Sequence, residues 1–163
     1  MSSKTGFTLL EVIIASFILT IGVVGAFTLI QRVSGSASIG SNQLVASYLV
    51  QEGIEIVRNI RDSNFIRIHK GLGGSWDDEL TGCAAGCEAD YNDIVLSVDD
   101  RFLLLDANGW YTYDSGSQSS FKRKITITSG ADKLIVTVDV SWMQAGMSRK
   151  VTGETELYNW LTP

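Results

Sequence analysis

The sequence predicts an α+β protein in which one long N-terminal helix packs against a C-terminal antiparallel β-sheet. Three patterns carry this. Val12 to Ile30 holds no charged side chain. Val45, Leu49, Gly53, Ile56, Val57 and Ile60 then recur at helical spacing, with Ala46 and Val50 at the edge of the stripe. From Phe121 onward the apolar period becomes two, as in half-buried strands.

The apolar segment comes first. Phe7 to Ile30 contains a single charge, Glu11, and its polar members within Val12 to Ile30 are Ser16, Thr20 and Thr28. A helix over Phe7 to Ile30 reaches about 36 Å at ~1.5 Å per residue, enough to cross a bilayer core. A chain of 163 residues has little else with which to bury such a helix on all sides. A cleaved secretory signal has a shorter apolar run followed by a small-residue cleavage site. Here the run is long, and the candidate cleavage point precedes it.

Gln31 to Asn42 is rich in Ser and Gly, a weak stretch for a helix. The stripe from Val45 to Ile60 still favours continuing it to about Asp62, a helix of roughly 84 Å from Phe7. Glu55 with Arg58, and Arg58 with Asp62, are spaced as helical ion pairs. Phe65 to Asp93 has no steady period, holds five glycines and both cysteines, and reads as a loop between helix and sheet. Beyond it, Ile94, Leu96 and Val98 alternate with polar residues; Phe102 to Leu105 is a short apolar run; Asp106-Ala107-Asn108-Gly109 is a turn signal. Trp110 to Tyr113 follows. Phe121 to Thr128, Leu134 to Trp142 and Val151 to Trp160 are the clearer strands, joined through Ser129 to Asp132 and through Gln144-Ala145-Gly146. Such short connections imply an antiparallel meander, covered on one face by the helix stripe.

Charge and site chemistry narrow the functional classes. The chain carries 13 Lys and Arg against 18 Asp and Glu, so a nucleic-acid partner is not expected. The basic run Lys122-Arg123-Lys124 reads as a solvated strand edge that discourages strand addition. His69 is the sole histidine and has no nucleophile at a meaningful spacing, so no catalytic residue is assigned and the chain is not expected to be an enzyme. Cys83 and Cys87 are expected to pair as a disulfide that stiffens a surface loop; free thiols or half of a metal site are the alternatives. No cofactor is expected. Asp106, Asn108 and Asp114 have the oxygens for calcium, but their spacing does not match the EF-hand pattern, and turn formation explains Asp106-Ala107-Asn108-Gly109 equally well.

The first eleven residues read Met1-Ser2-Ser3-Lys4-Thr5-Gly6-Phe7-Thr8-Leu9-Leu10-Glu11. A short polar leader ends in Gly6, an apolar helix starts at Phe7, and its fifth residue is an acid. This resembles the N-terminus of type IV pilins and of the pseudopilins of type II secretion. The strand-rich ending through Leu157 to Leu161 is similar to minor pilin and pseudopilin heads. The resemblance implies cleavage after Gly6 by a prepilin peptidase and N-methylation of Phe7. It further implies assembly into a filament through the N-terminal helix, with Glu11 meeting the terminal amine of a neighbouring subunit. The partners it implies are copies of this chain or other pilins, an assembly platform and an ATPase. The expected organisation is a leader at 1–6, a membrane and filament-core helix at 7–30, an amphipathic continuation at 31–64 and an extracytoplasmic β-rich head at 65–163. The N-terminus is expected on the cytoplasmic side of the membrane, held there by Lys4. Many pilins have a proline in the first half of this helix; this chain has none, and Gly22 and Gly25 are the local substitutes. A type II secretion or competence pseudopilin shares the plan. A plain membrane-anchored binding module, uncleaved, explains the helix and head but not Gly6-Phe7 with Glu11.

Overall fold

The computed structural model describes residues 6, 8–130 and 132–160, with the side chains of Ser34 and Ser36 outside the description. Lys4, Phe7, Ala131 and Leu161, to which the sequence assigns roles, lie outside the described residues. The chain divides into two compact units, Met1–Ser41 and Asn42–Pro163.

Helix α1 spans Leu9–His69. In the first unit it carries the apolar segment. In the second its buried residues up to Ile60 are Ala46, Leu49, Val50, Gly53, Ile56, Val57 and Ile60, the stripe that the helical spacing picks out, while Val45 at its start is half-buried. The helix runs on past Asp62 into residues that the lack of period suggests are loop. Two inward side chains hold this last stretch: Phe65, stacked on Trp76, and Asn64, whose Nδ2 donates to the carbonyls of Trp76 at 3.3 Å and Asp78 at 2.7 Å. Arg58 pairs with Glu55 at 2.6 Å as spaced, but Asp62 takes Arg61, at 2.7 Å, in place of Arg58.

Three strands of two residues each, β1 (Leu104–Leu105), β2 (Tyr111–Thr112) and β3 (Ser117–Gln118), form a small sheet of order β2-β1-β3. The main sheet is the meander β4 (Phe121–Ser129), β5 (Lys133–Gln144) and β6 (Met147–Tyr158), antiparallel in that order. Ile94 to Val98 is not a strand: Leu96 is buried, while Ile94 and Val98 are exposed and one isolated bridge joins Ser97 to Glu88. The turn after β5 places Ala145 at φ 51° and Gly146 at φ 76°, the two left-handed residues of a tight hairpin.

On β5 every second residue from Leu134 to Trp142 is buried, and Phe121, Ile125 and Ile127 flank them from β4. This face meets α1 through two glycines, one on each element. A Cβ on Gly53 would lie 2.9 Å from Val138 Cγ1; a Cβ on Gly153 would lie 2.4 Å from Val50 Cγ1 and 3.3 Å from Ile54 Cδ1. Both positions let backbone approach side chain more closely than any other residue permits.

Candidate processing segment and the polar framework of the head

Thr8 starts the helix. Its carbonyl accepts from the N–H groups of Glu11 at 3.1 Å and Val12 at 3.2 Å, and its Oγ1 accepts from the Glu11 N–H at 3.3 Å. The run Thr8-x-x-Glu11 has the spacing of a capping box, a signal in the sequence that the reading of Glu11 alone passes over. Glu11 stands exposed in the first turn, where its negative charge also complements the helix dipole. Gly6 is exposed, and a Cβ there would touch nothing within 4 Å. Among the described residues, then, no packing contact requires the lack of a side chain at Gly6.

From Leu9 through Val33 every described residue is exposed, Phe17 at 66% and Phe27 at 64% among them. The helix is long and apolar enough to cross a membrane, and none of its most apolar stretch is buried within the chain. Its three hydroxyls are satisfied by the helix itself: Ser16 Oγ donates to Ile13 O at 3.0 Å, Thr20 Oγ1 to Ser16 O at 2.8 Å and Thr28 Oγ1 to Val24 O at 2.9 Å. Back-bonding of this kind removes most of the cost of placing a hydroxyl in hydrocarbon.

Cys83 and Cys87 form a disulfide, with Cα atoms 5.3 Å apart. The bridge is no surface staple: the two residues are 2% and 1% exposed and belong to the hydrophobic core. Their backbone also continues the main sheet. Cys87 N–H donates to Ile125 O at 2.7 Å, Ile125 N–H to Cys87 O at 2.8 Å, and Ile127 N–H to Cys83 O at 3.2 Å. Further along, Leu103 N–H donates to Phe121 O at 2.9 Å. The outer border of β4 is thus occupied.

The basic run departs from its expected role at its centre. Lys124 is exposed and Lys122 pairs with Asp100 at 2.7 Å, but Arg123 is 3% exposed and points into the core with Phe121 and Ile125. Its guanidinium pairs with Glu52 at 3.1 Å, donates to Ala89 O at 2.5 Å and Leu49 O at 3.4 Å, and lies over the Tyr113 ring. The alternation of β4 carries this information, since an inward position two residues from Phe121 and two from Ile125 is occupied by Arg123. Glu88 and Asp90 are buried as well. Glu88 pairs with Arg101 and also accepts the Arg101 N–H at 3.1 Å; Asp90 accepts from the Thr112 hydroxyl and from the Tyr113 N–H at 3.0 Å. Between the two arginines, Tyr113 is pushed up to about 12 by burial. These groups are spent on one another, as buried charges must be, and tie helix, loop and sheet into one framework.

Asp106 and Asn108 do share a turn, but both oxygens of Asp106 are used inside it. Oδ1 accepts the N–H groups of Asn108 and Trp110, each at 2.8 Å, and Oδ2 accepts from Asn108 Nδ2 at 3.1 Å. The Trp110 hydrogen bond foremost holds the Asp106 carboxyl below its usual range. Asp114 uses its N–H on the Thr112 hydroxyl. Among the described residues no group of three or more His, Cys, Asp or Glu is gathered to hold a metal. His69 is exposed at the end of α1.

Residues 1–27 match the family model described as the prokaryotic N-terminal methylation motif. No curated protein and no solved structure matches the chain. The matched region covers Gly6, Phe7, Glu11 and most of the exposed apolar helix, and what opens this chain is a prokaryotic N-terminal methylation motif, the type of signal found in type IV pilins and pseudopilins.

Proposed function

We propose that the chain is a structural subunit of a type IV pilus or related filament, held in the cytoplasmic membrane by its N-terminal helix until assembly. The observation that carries this reading is the methylation motif set directly on an apolar helix that the chain itself leaves unburied. In this reading a prepilin peptidase cuts after Gly6, and Phe7 becomes the methylated terminus. The open surroundings of Gly6 support it: the glycine answers to an outside catalyst and not to internal packing. Glu11 then meets the new amine of a neighbouring subunit. A carboxylate near the middle of a bilayer costs roughly 2.5–3.5 kcal/mol on insertion scales, and a matched pair lowers that cost while fixing register between helices.

Intact mass of the membrane-extracted protein tests the processing step: loss of Met1 to Gly6 and gain of one methyl group is expected, and retention of Lys4 would refute it. Glu11→Gln is expected to be inserted and cleaved normally yet to be nearly absent from sheared filaments. Wild-type amounts in that fraction would remove Glu11 from assembly.

A further inference from the structure

A concavity of about 280 Å³ is lined, among the described residues, by Glu52, Tyr91, Trp110 and Tyr111. Three aromatic rings and one carboxylate around a small hollow are the recognition chemistry of a methylated ammonium, which is attracted by ring faces and brings no N–H that must be satisfied. We propose that this hollow binds a quaternary ammonium group of the choline or trimethyl-lysine type.

The walls are held from behind. Trp110 is 68% exposed, yet its backbone is fixed at both ends by Asp106: its N–H donates to Asp106 Oδ1 at 2.8 Å and its carbonyl accepts the Asp106 N–H at 3.0 Å. The Asp106 turn thus presents an indole to solvent on a fixed backbone. Tyr91 is 62% exposed, with its N–H donating to the buried Asp90 at 2.8 Å. Tyr111 stands edge-on to Phe121 of the core, centroids 5.8 Å apart, and pairs with Leu105 in the small sheet. Glu52 projects from α1, anchored by the buried Arg123. The backbones that carry Trp110 and Tyr91 are thus fixed and Tyr111 is seated on the core, which limits the ordering that a ligand must bring about.

Charge and size select the ligand. Glu52 is paired with Arg123, and in the adjoining hollow Glu55 is paired with Arg58 and Asp62 with Arg61, so the attraction for a cation comes from the aromatic walls and not from a free negative charge. The volume is small for a drug-sized molecule and suits a single headgroup. A primary ammonium carries three donors into walls that are mostly ring carbon, and leaves some unmet. A phosphate directly attached to the choline would bring a strongly hydrated anion against a hollow lined mostly by aromatic residues, so free choline or a trimethyl-lysine side chain fits better than a phosphocholine headgroup.

The test is a ligand-observed NMR titration of the full chain in maltoside micelles, which carry no ammonium group. Choline is compared with ethanolamine, with phosphocholine and with the neutral isostere 3,3-dimethylbutan-1-ol. Choline is expected to bind at least about fivefold more tightly than each of the others, the gain that a partly desolvated cation–π site gives. Trp110→Leu, a change at an exposed side chain that keeps apolar bulk, should remove at least about fivefold of choline affinity, while Trp160→Leu should leave it unchanged. Equal binding of the neutral isostere would make the hollow merely apolar and overturn the proposal. So would tighter binding of phosphocholine or ethanolamine, unaltered affinity in Trp110→Leu, or no choline binding at all.

Discussion

Replacing Gly153 with alanine probes how closely α1 is set against the sheet. The added Cβ would fall 2.4 Å from Val50 Cγ1 and 3.3 Å from Ile54 Cδ1. Carbon atoms rest at about 3.5–4.0 Å, so the first contact is short by more than 1 Å. Val50 is β-branched and stiff at χ1 and is itself buried, so it has no rotamer into which to retreat. The strain passes to the helix–sheet spacing, and overpacking of this kind costs about 1–3 kcal/mol. Against it stands a gain of about 0.5–1 kcal/mol, because alanine restricts the unfolded chain more than glycine does. The clash wins, with a net loss of about 1–2 kcal/mol. Gly53→Ala makes the contrast. Its nearest contacts are milder, 2.9 Å to Val138 Cγ1 and 3.2 Å to Arg123 Cδ, and alanine in a helix recovers about 1 kcal/mol, so this change should cost less than Gly153→Ala. Urea unfolding of the micelle-bound chain, followed by near-UV circular dichroism of the buried Trp142, measures both. A double-mutant cycle isolates the cause: Gly153→Ala combined with Val50→Ala should cost at least about 1 kcal/mol less than the sum of the single changes. Additivity, or a Gly153→Ala variant as stable as the parent, would refute the close approach.

Cys83→Ser is expected to cost about 2 kcal/mol or more, since the bridge closes a loop and the serine hydroxyl enters the core; unfolding with and without reductant checks it, reductant weakening the parent and leaving the variant unchanged. Spectrophotometric titration should find one tyrosine ionising near pH 12, from Tyr113. Because its folded value lies above the unfolded one, the stability it contributes is complete below about pH 10 and is lost as pH rises through 12; Tyr113→Phe should flatten that part of the stability curve. Ala145→Gly, at a position held at φ 51°, should stabilise by about 0.5–1 kcal/mol, read as a rise of about 2–4 °C in Tm.

The elements that read clearly from sequence are those whose signal is local and repeated. The unbroken apolar run, the stripe from Ala46 to Ile60 and the alternation along β4 and β5 each repeat often enough to fix a period. Where one or two contacts decide, the sequence was silent. Helix α1 reaches His69 because Asn64 and Phe65 find partners near Trp76, a pairing across a loop. Ile94 to Val98 alternates correctly around Leu96 but has no neighbouring strand to complete it. The strands of the small sheet, two residues each, are too short to show any period. At the N-terminus the motif was legible because its residues are contiguous. The ring of Tyr91, Trp110 and Tyr111 around Glu52 was not, because chain segments far apart in sequence supply it.

The occupied border of β4 has a consequence for how copies of this chain can meet. A ribbon that grows by joining sheets edge to edge needs two free borders on every member, one to give and one to receive. Here the disulfide-bonded segment and Leu103 already hydrogen-bond along one border, and β6, last in the order, leaves the other. Copies that meet border to border therefore stop at a pair; the sheet is a dead end for endless growth. The five-residue segment closed by Cys83 and Cys87 thus guards this sheet against edge-to-edge stacking, and any longer polymer of the chain would have to grow through surfaces other than the sheet borders.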